Sequence, residues 1–330
     1  MIFHHYIIGS DKMQSLHFTI PYVMVSNGDE IMKNKIRGSF ALLFATLLWG
    51  TAFVAQSQGM EHIGPFTFQA IRCLMAPVAL FPIIALMEHR EISSFLTKWK
   101  NRKLWKSGIL CGIALFFATN LQQMGMVYTD AGKAGFITAM YIVLVPVFSI
   151  FLGRKPGLRL IISILLAVVG MYLLCGSTVT SINIGDFLIL LCAIAFAIHI
   201  LLVDSICQDV DGLRLNSIQA LVVGLLSAVF MLFTETPKLE AIQNCTLSLL
   251  HAGVLSMGVA YSLQIIGQKH VESATASLIM SMESVVAVIA GWLILGERLT
   301  MTEGMGCLLI FLAVILSQLP KPRSKRENCC

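Results

Sequence analysis

The stretch YTDAGKAGFITAMYIVLVPVFSIFLG, residues 128–153, is apolar over the thickness of a membrane and carries Lys133 near its start. A weaker copy, VESATASLIMSMESVVAVIAGWLILG, follows 143 residues later at 271–296. Both copies end in Leu-Gly, and a polar turn and one more apolar run follow each of them. An internal repeat of this kind in a membrane chain predicts two structural halves that face a central site.

The composition places the chain in the membrane. Hydrophobic residues make up 57% of its 330 residues and charged residues 12%, whereas a soluble domain carries about 25% charge. Because the bilayer offers no water to bond the backbone, each apolar run of about 20 residues should be a helix. Ten such runs are present, at 38–56, 66–87, 107–127, 131–152, 159–176, 186–203, 216–234, 246–267, 271–295 and 302–319. We therefore predict an all-α integral membrane protein with ten transmembrane helices.

The distribution of basic residues predicts the orientation of these helices. With ten spans and a cytoplasmic N-terminus, 19 of the 23 Lys and Arg residues fall in cytoplasmic segments. Two, Lys238 and Arg298, fall in outside loops, and two, Arg72 and Lys133, fall within spans. This bias fits the positive-inside rule and places both termini in the cytoplasm. The net charge of +5 then reflects topology and contact with anionic lipid, and it does not imply nucleic acid.

Residues 1–31 do not continue this pattern. Their short apolar pieces are broken by Asp11, Pro21 and Asp29, and they lack the layout of a signal peptide. We expect a disordered extension or an upstream start codon, with Met32 as an ordinary start.

Polar residues inside the first two spans are candidates for a cavity. Trp49 lies near the middle of its span although tryptophan usually lies at the interface, so it either lines a cavity or packs against neighbours. Arg72 lies about two turns into the second span and must face protein or water. It is either a site residue or part of a structural ion pair or carbonyl contact.

Two further spans of the first half carry polar side chains at helical spacing. Asn120 and Gln123 share one face of the third span, and either line a cavity or bond to a neighbouring helix. Thr138 and Tyr141 share a face of the fourth span. Lys133 could serve the site or extend to the membrane interface.

The second half contributes a polar stripe and an embedded carboxylate. Gln264 belongs to a stripe with Tyr261 and Gln268 on the eighth span. Glu283 lies about twelve residues into the ninth span, near the bilayer midplane. It could carry protons, contact a solute, or form a hydrogen bond between helices. His199 is apolar on both sides and is typical of a histidine bonded to a neighbouring helix.

Enzymatic chemistry has little support in the sequence. The nine cysteines contain no Cys-x-x-Cys metal pattern, and no cluster of His, Asp or Cys marks a catalytic site near one membrane face. We expect no catalytic residues, no metal and no cofactor. A helical scaffold would not need charged residues within its spans, because intramembrane charges are costly.

Together these residues resemble the drug/metabolite transporter superfamily in its EamA-domain branch, over about residues 38–318. The resemblance rests on Trp49-Gly50, on Gly64-Pro65-Phe66 with Arg72, and on four longer segments. These are TNLQQMGMVYTDAGKAGFITAMYIVLVP (119–146), LQIIGQKH (263–270), SLIMSMESVVAVIAGWLILGERLT (277–300) and the closing span. The turn at Arg154-Lys155 lacks the acidic residue of Glu297-Arg298, and the extension has no counterpart in the family.

The resemblance implies ten helices in two inverted five-helix repeats and alternating access around a central cavity. The chain then divides into an extension at 1–37, repeats at 38–176 and 185–319, and a basic tail at 320–330. The family moves small metabolites, often amino acids and usually outward, across the cell membrane. A sugar-phosphate or nucleotide-type exchanger of the same superfamily is the alternative. The expected partners are a small solute and the lipid bilayer, with the chain a monomer or homodimer.

A reporter enzyme that is active only outside the cell tests the topology. Fused after Arg326 it should be silent, because the basic tail is predicted to be cytoplasmic. The same reporter inserted after Lys238 should be active. Strong activity after Arg326 would contradict ten spans.

Overall fold

The computed structural model describes residues 11–88, 92–129, 131–175, 183–295 and 300–319, and helix is the only regular structure in these ranges. The first half contains α1 to α7, at Asp11–Met60, Pro65–Met87, Ile92–Trp99, Arg102–Gly125, Ala131–Thr138, Tyr141–Phe151 and Leu158–Cys175. The second half contains α8 to α15, at Ile184–Ile206, Gly212–Thr234, Leu239–Asn244, Thr246–Leu250, Tyr261–Gln268, Ser273–Met280, Met282–Leu295 and Met301–Gln318. A π-helix, His251–Ala260, joins α11 to α12.

The ten predicted spans all appear as helices. In the described residues, nine stretches are long and apolar enough to cross a membrane, and the tenth prediction corresponds to the shorter apolar helix Leu158–Leu174. The prediction of disorder is wrong for residues 11–31, because α1 begins at Asp11 and runs without interruption to Met60. Pro21 and Gly28 lie within this helix without ending it, and neither glycine nor proline occurs from residue 29 to residue 37.

The packing of the helices follows the repeat. Helix α7 packs along α15, and α2 packs along α9, so these two pairs join equivalent helices of the two halves. Helix α4 packs on α8 and α9. In the matching contacts of the other half, the π-helix packs on α1 and α2, and α12 packs on α1. These contacts between the halves therefore have counterparts in which the roles of the halves are exchanged. This arrangement is that of two inverted repeats of five helices.

Close helix crossings are built from paired glycines at matching places. A Cβ on Gly125 would lie 2.9 Å from the backbone oxygen of Gly185, where α4 crosses α8. A Cβ on Gly267 would likewise lie 2.9 Å from the backbone oxygen of Gly38, where α12 crosses α1. Small residues permit such close contact between membrane helices. The two crossings are equivalent in the repeat, because each joins the first helix of one half to the third helix of the other.

One helix in each half is interrupted in mid-membrane. The fourth span changes from α5 to α6 at Ala139–Met140, where the backbone NH of Val143 bonds the carbonyl of Met140. The ninth span changes from α13 to α14 at Ser281, whose carbonyl accepts from the NH of Ser284. These hydrogen bonds join residues three apart, as in a 3₁₀-helix, and they close a tighter turn than the hydrogen bonds of an α-helix, which join residues four apart. The interruptions fall at equivalent positions of the repeat and mark the middle of the bundle.

The paired helices α2 and α9 are bonded at both ends. At the face formed by residues 92–102 and 206–212, which we call the basic face, Arg214 makes two hydrogen bonds with Glu88, of 2.5 and 3.0 Å. At the opposite face, the carboxylate of Glu235 accepts from the backbone NH groups of Phe66 and Thr67, at 2.9 and 2.8 Å. The second contact places a negative charge at the start of α2, where the helix dipole favours it.

Substitution of Gly306 tests the packing of α7 on α15. A Cβ at this position would lie 2.5 Å from the backbone oxygen of Gly170. We expect Gly306→Ala to destabilise the protein by about 1–3 kcal/mol, the typical cost of overpacking. Thermal unfolding in detergent, followed by gel filtration, measures the loss. Gly304→Ala is the matched control on the same helix, because its Cβ meets no atom within 4 Å. Equal stability of the two variants would contradict this packing.

The bond between Glu88 and Arg214 predicts a pH dependence of stability. Hydrogen bonds from Arg214 and Lys98 lower the pKa of Glu88 from 4.5 to about 2. A lowered pKa contributes stability above pH ~5, and this stability is lost as the pH falls towards 2. We expect Glu88→Gln to cost ~2 kcal/mol at pH 7 and progressively less below pH 4.5.

Thermal unfolding between pH 7 and pH 3 measures this difference. Glu61→Gln, at an exposed position in the turn after α1, is the control and should change little at any pH. A constant difference between Glu88→Gln and the parent across this range would refute the ion-pair contribution.

Candidate functional site

A cavity of about 510 Å³, including the part open to solvent, lies between the two halves. Side chains from both halves line it, and they come from seven of the ten spans, including the two interrupted ones. They are Trp49, Phe53, Gln56, Arg72, Gln122, Thr138, Tyr141, Phe196, Ile200, Ser256, Tyr261, Gln264, Met280 and Glu283. The cavity therefore combines two charged side chains, several neutral polar ones and an aromatic wall.

The embedded carboxylate is bonded across the two halves. The phenol of Tyr141 donates a hydrogen bond of 3.0 Å to Oε1 of Glu283. Tyr141 begins α6 directly after the first interruption, and Glu283 follows the second interruption by two residues. Both side chains are buried, at 4% and 6% exposure. The interruptions thus bring the acidic group and its donor together in the middle of the bundle.

The embedded cation is held by its own helix. Nε of Arg72 donates a hydrogen bond of 2.7 Å to Oε1 of Gln69, one turn earlier on α2. The guanidinium lies over the ring of Phe68, 5.8 Å from its centre. Among the described residues, no carboxylate lies within 4 Å of Arg72, so Arg72 and Glu283 face the same cavity without forming an ion pair.

Aromatic rings form one wall of the cavity. Trp49 and Tyr261 meet edge to face with ring centres 4.9 Å apart, and Tyr141 meets Phe196 at 6.5 Å. These contacts join α1 to α12 and α6 to α8, so each ring pair links the first half to the second. Aromatic faces attract cations as well as apolar groups.

Three buried polar atoms of the cavity lining have no hydrogen-bond partner among the described residues. They are Nε1 of Trp49, Oε1 of Gln56 and Oε1 of Gln264. A buried polar group without a partner is costly, and it calls for a specific explanation. One donor and two acceptors at the wall of a cavity can bond a polar solute.

Six of the nine predicted site residues line this cavity, and the structure places the other three elsewhere. Asn120 instead bonds Ser227 on α9 and the backbone oxygen of Phe116. Gln123 is fully buried outside the lining, and its two amide atoms make no hydrogen bond among the described residues. Lys133 forms a buried ion pair of 2.6 Å with Asp186 at the start of α8. The face of α4 that carries Asn120 and Gln123 therefore packs against other helices. Helix periodicity identifies a polar face, but it does not indicate whether that face meets a cavity or a neighbouring helix.

Eight lining residues were not among the predicted site residues: Phe53, Gln56, Gln122, Phe196, Ile200, Ser256, Tyr261 and Met280. Gln122 and Tyr261 are polar residues within spans, so composition alone could have suggested them. Gln122 donates a hydrogen bond of 3.1 Å to Thr138, which links α4 to α5. The apolar members carry no such signal, because apolar residues are common throughout the spans.

His199 is bonded to a neighbouring helix, as its surroundings suggested. Its Nε2 lies 3.1 Å from Oε1 of Gln219 on α9, and its side chain is fully buried. In the described part of the chain, no group of three His, Cys, Asp or Glu side chains could hold a metal ion.

Comparison with known proteins identifies one family profile and several relatives. The profile of the EamA-like transporter family matches residues 36–176 and 183–319. An uncharacterized transporter of Archaeoglobus fulgidus is 32% identical over 91% of both chains. The uncharacterized transporter YoaV of Bacillus subtilis is 23% identical over 88% of this chain and 99% of its own length. A chloroplastic WAT1-related protein of Arabidopsis thaliana is 24% identical over 85% of this chain and 69% of its own.

A solved crystal structure with 17% identity superposes with a TM-score of 0.71, and the match covers 85% of this chain and 95% of the other. This likeness supports the fold. Ten apolar helices in two inverted repeats around a polar cavity define a multi-pass membrane transporter. The chain belongs to the EamA-like transporter family of the drug/metabolite transporter superfamily, because the family profile matches most of its length.

Proposed function

We propose that the protein moves a small zwitterionic metabolite, such as an amino acid, by alternating access around the central cavity. The cavity carries one cation, Arg72, and one carboxylate, Glu283, which do not pair with each other. This separation is the observation that supports the proposal. A zwitterion presents a carboxylate and an ammonium group, so it complements both charges at once.

The remaining lining supports the same kind of solute. The unpartnered oxygens of Gln56 and Gln264 can accept from an ammonium group, and the indole NH of Trp49 can donate to a carboxylate. Aromatic rings beside them can cover an apolar side chain. A phosphate ester or nucleotide carries two negative charges, which Glu283 in the same cavity would repel. We therefore favour an amino acid over the sugar-phosphate type of solute.

Glu283 has two possible roles within this function. It can contact the ammonium group of the solute, and it can carry a proton between the two sides. The hydrogen bond from Tyr141 stabilises the ionised carboxylate until the solute or a proton replaces that interaction. Catalysis of a chemical reaction is not part of the proposal. We place the protein in the cell membrane with both termini in the cytoplasm and export as its direction, in keeping with the distribution of basic residues and the family resemblance.

Replacement of Glu283 by glutamine tests the proposal and separates these roles. The amide keeps the size of the side chain but cannot titrate. Proteoliposomes loaded with each of the twenty amino acids identify the solute by exchange in the parent protein. If Glu283 carries protons, Glu283→Gln should lose pH-driven transport and retain exchange. If it only contacts the solute, exchange should also fall.

The control is Glu240→Gln, at an exposed position on α10, which should behave as the parent. Transport by Glu283→Gln equal to that of the parent at every pH would refute both roles. Glu283 would then serve only as a hydrogen-bond acceptor between helices.

A further inference from the structure

A chain of hydrogen bonds leads from the guanidinium of Arg72 into the protein. Oε1 of Gln69 accepts from Nε of Arg72 at 2.7 Å, and Nε2 of Gln69 donates to Oγ1 of Thr119 at 2.5 Å. The hydroxyl of Thr119 in turn donates to the backbone oxygen of Leu115 at 2.8 Å. Gln69 and Thr119 are fully buried and do not line the cavity.

Each donor and acceptor in this chain has one possible role. Arginine has only donors, so the atom of Gln69 that faces it must be the amide oxygen. The amide nitrogen therefore points to Thr119. Because the hydroxyl proton of Thr119 is directed to Leu115, its oxygen is free to accept from Gln69. Arg72 therefore sets the direction of the chain, and the hydroxyl of Thr119 provides the acceptor that holds the amide of Gln69 in that direction.

The second half contains an equivalent chain. Nε2 of Gln219 donates to Oδ1 of Asn216 at 2.9 Å, and Nδ2 of Asn216 donates to the hydroxyl of Ser262, also at 2.9 Å. Ser262 donates to the backbone oxygen of Gly258, four residues earlier, as Thr119 does to its own helix. Gln219 and Asn216 each lie 147 residues after their counterparts on α2, Arg72 and Gln69. Ser262 lies 143 residues after its counterpart on α4, Thr119.

The two chains differ at their free end. In the first half the last member is the cation Arg72, which reaches the cavity. In the second half it is the neutral Gln219, which lies outside the lining and meets His199. The shared part of the chain therefore belongs to the framework of each repeat, and the first repeat uses it to hold a charged group at the cavity.

We propose that Gln69 and Thr119 are positioning residues, which orient Arg72 towards the carboxylate of the solute. With Nε bonded to Gln69, the terminal nitrogens have no carboxylate partner among the described residues, and they form the end of the guanidinium fork that binds a carboxylate with two hydrogen bonds. The inference deepens the proposed function, because it rests on a solute that carries an anionic group. It assigns orientation to two side chains that the solute does not touch.

Labelling of Arg72 with phenylglyoxal, an arginine-selective reagent, tests the inference without knowledge of the solute. The full-length protein is labelled in proteoliposomes, and the rate of adduct formation at Arg72 is measured by peptide mass spectrometry. Thr119→Val keeps the shape of the side chain and removes the hydroxyl, so the amide nitrogen of Gln69 loses this acceptor and the amide is held less firmly. We expect the rate to fall about tenfold, because a guanidinium that turns away from the cavity is less accessible to the reagent. The factor corresponds to the loss of one hydrogen bond in a chain that ends at a charged group.

Thr119→Ser restores the hydroxyl and should be labelled at the rate of the parent. Ser262→Ala removes the equivalent hydroxyl of the second half and should leave the labelling of Arg72 unchanged. Gln69→Met, which has a similar length and no amide, provides a second test if Thr119→Val does not fold, and it should also slow labelling. Equal rates in the parent, Thr119→Val and Gln69→Met would overturn the inference.

Transport provides an independent measurement once the amino acid screen has identified a solute. Thr119→Val should raise KM for that solute about tenfold at an unchanged maximal rate, and the amide derivative of the solute, which lacks the carboxylate, should show no such change. A parent protein that moves no amino acid would contradict the proposed function. The labelling rates would still decide whether Gln69 and Thr119 position Arg72.

Discussion

A polar group inside a lipid bilayer has no water to bond, and this constraint governs the structure. The backbone satisfies it by forming helices. The side chains satisfy it by pairing, as Lys133 does with Asp186 and Tyr141 with Glu283. Pairing is incomplete at Arg72 and at three atoms of the cavity wall, and these groups belong to one space between the halves, whereas other unpartnered buried atoms of the described residues lie elsewhere. The cavity is therefore one of the places where the described side chains do not meet this constraint by themselves.

The two repeats explain why the cavity carries unlike charges. Arg72 corresponds in the repeat to Gln219, and Glu283 corresponds to Met140, so each charged group has a neutral counterpart. The first half supplies the cation and the second half supplies the carboxylate. The symmetry of the framework is retained in the helix contacts and the glycine crossings, whereas the lining departs from it. An asymmetric solute requires such a departure, because identical halves would present the same chemistry twice.

The sequence allowed the spans and the two charged residues of the cavity lining to be predicted, because both follow from the cost of polar groups in lipid. Arg72 and Glu283 stand out for that reason alone. The roles of Asn120 and Lys133 could not be predicted, because a polar residue on a helix can face a cavity or another helix, and the sequence does not state which. The interruptions at Met140 and Ser281 also escaped prediction, since neither glycine nor proline occurs there.

The bonds at the two ends of α2 and α9 limit how the cavity can open. Glu88 holds these helices together at the basic face, and Glu235 does so at the opposite face. While both sets of hydrogen bonds are present, α2 and α9 can tilt or rotate only together, because their ends cannot separate at either membrane surface. In the alternating access that we propose, the remaining helices would then move relative to this pair. The contacts that break during transport would lie elsewhere in the bundle. This pair of helices would connect the movements at the two membrane surfaces.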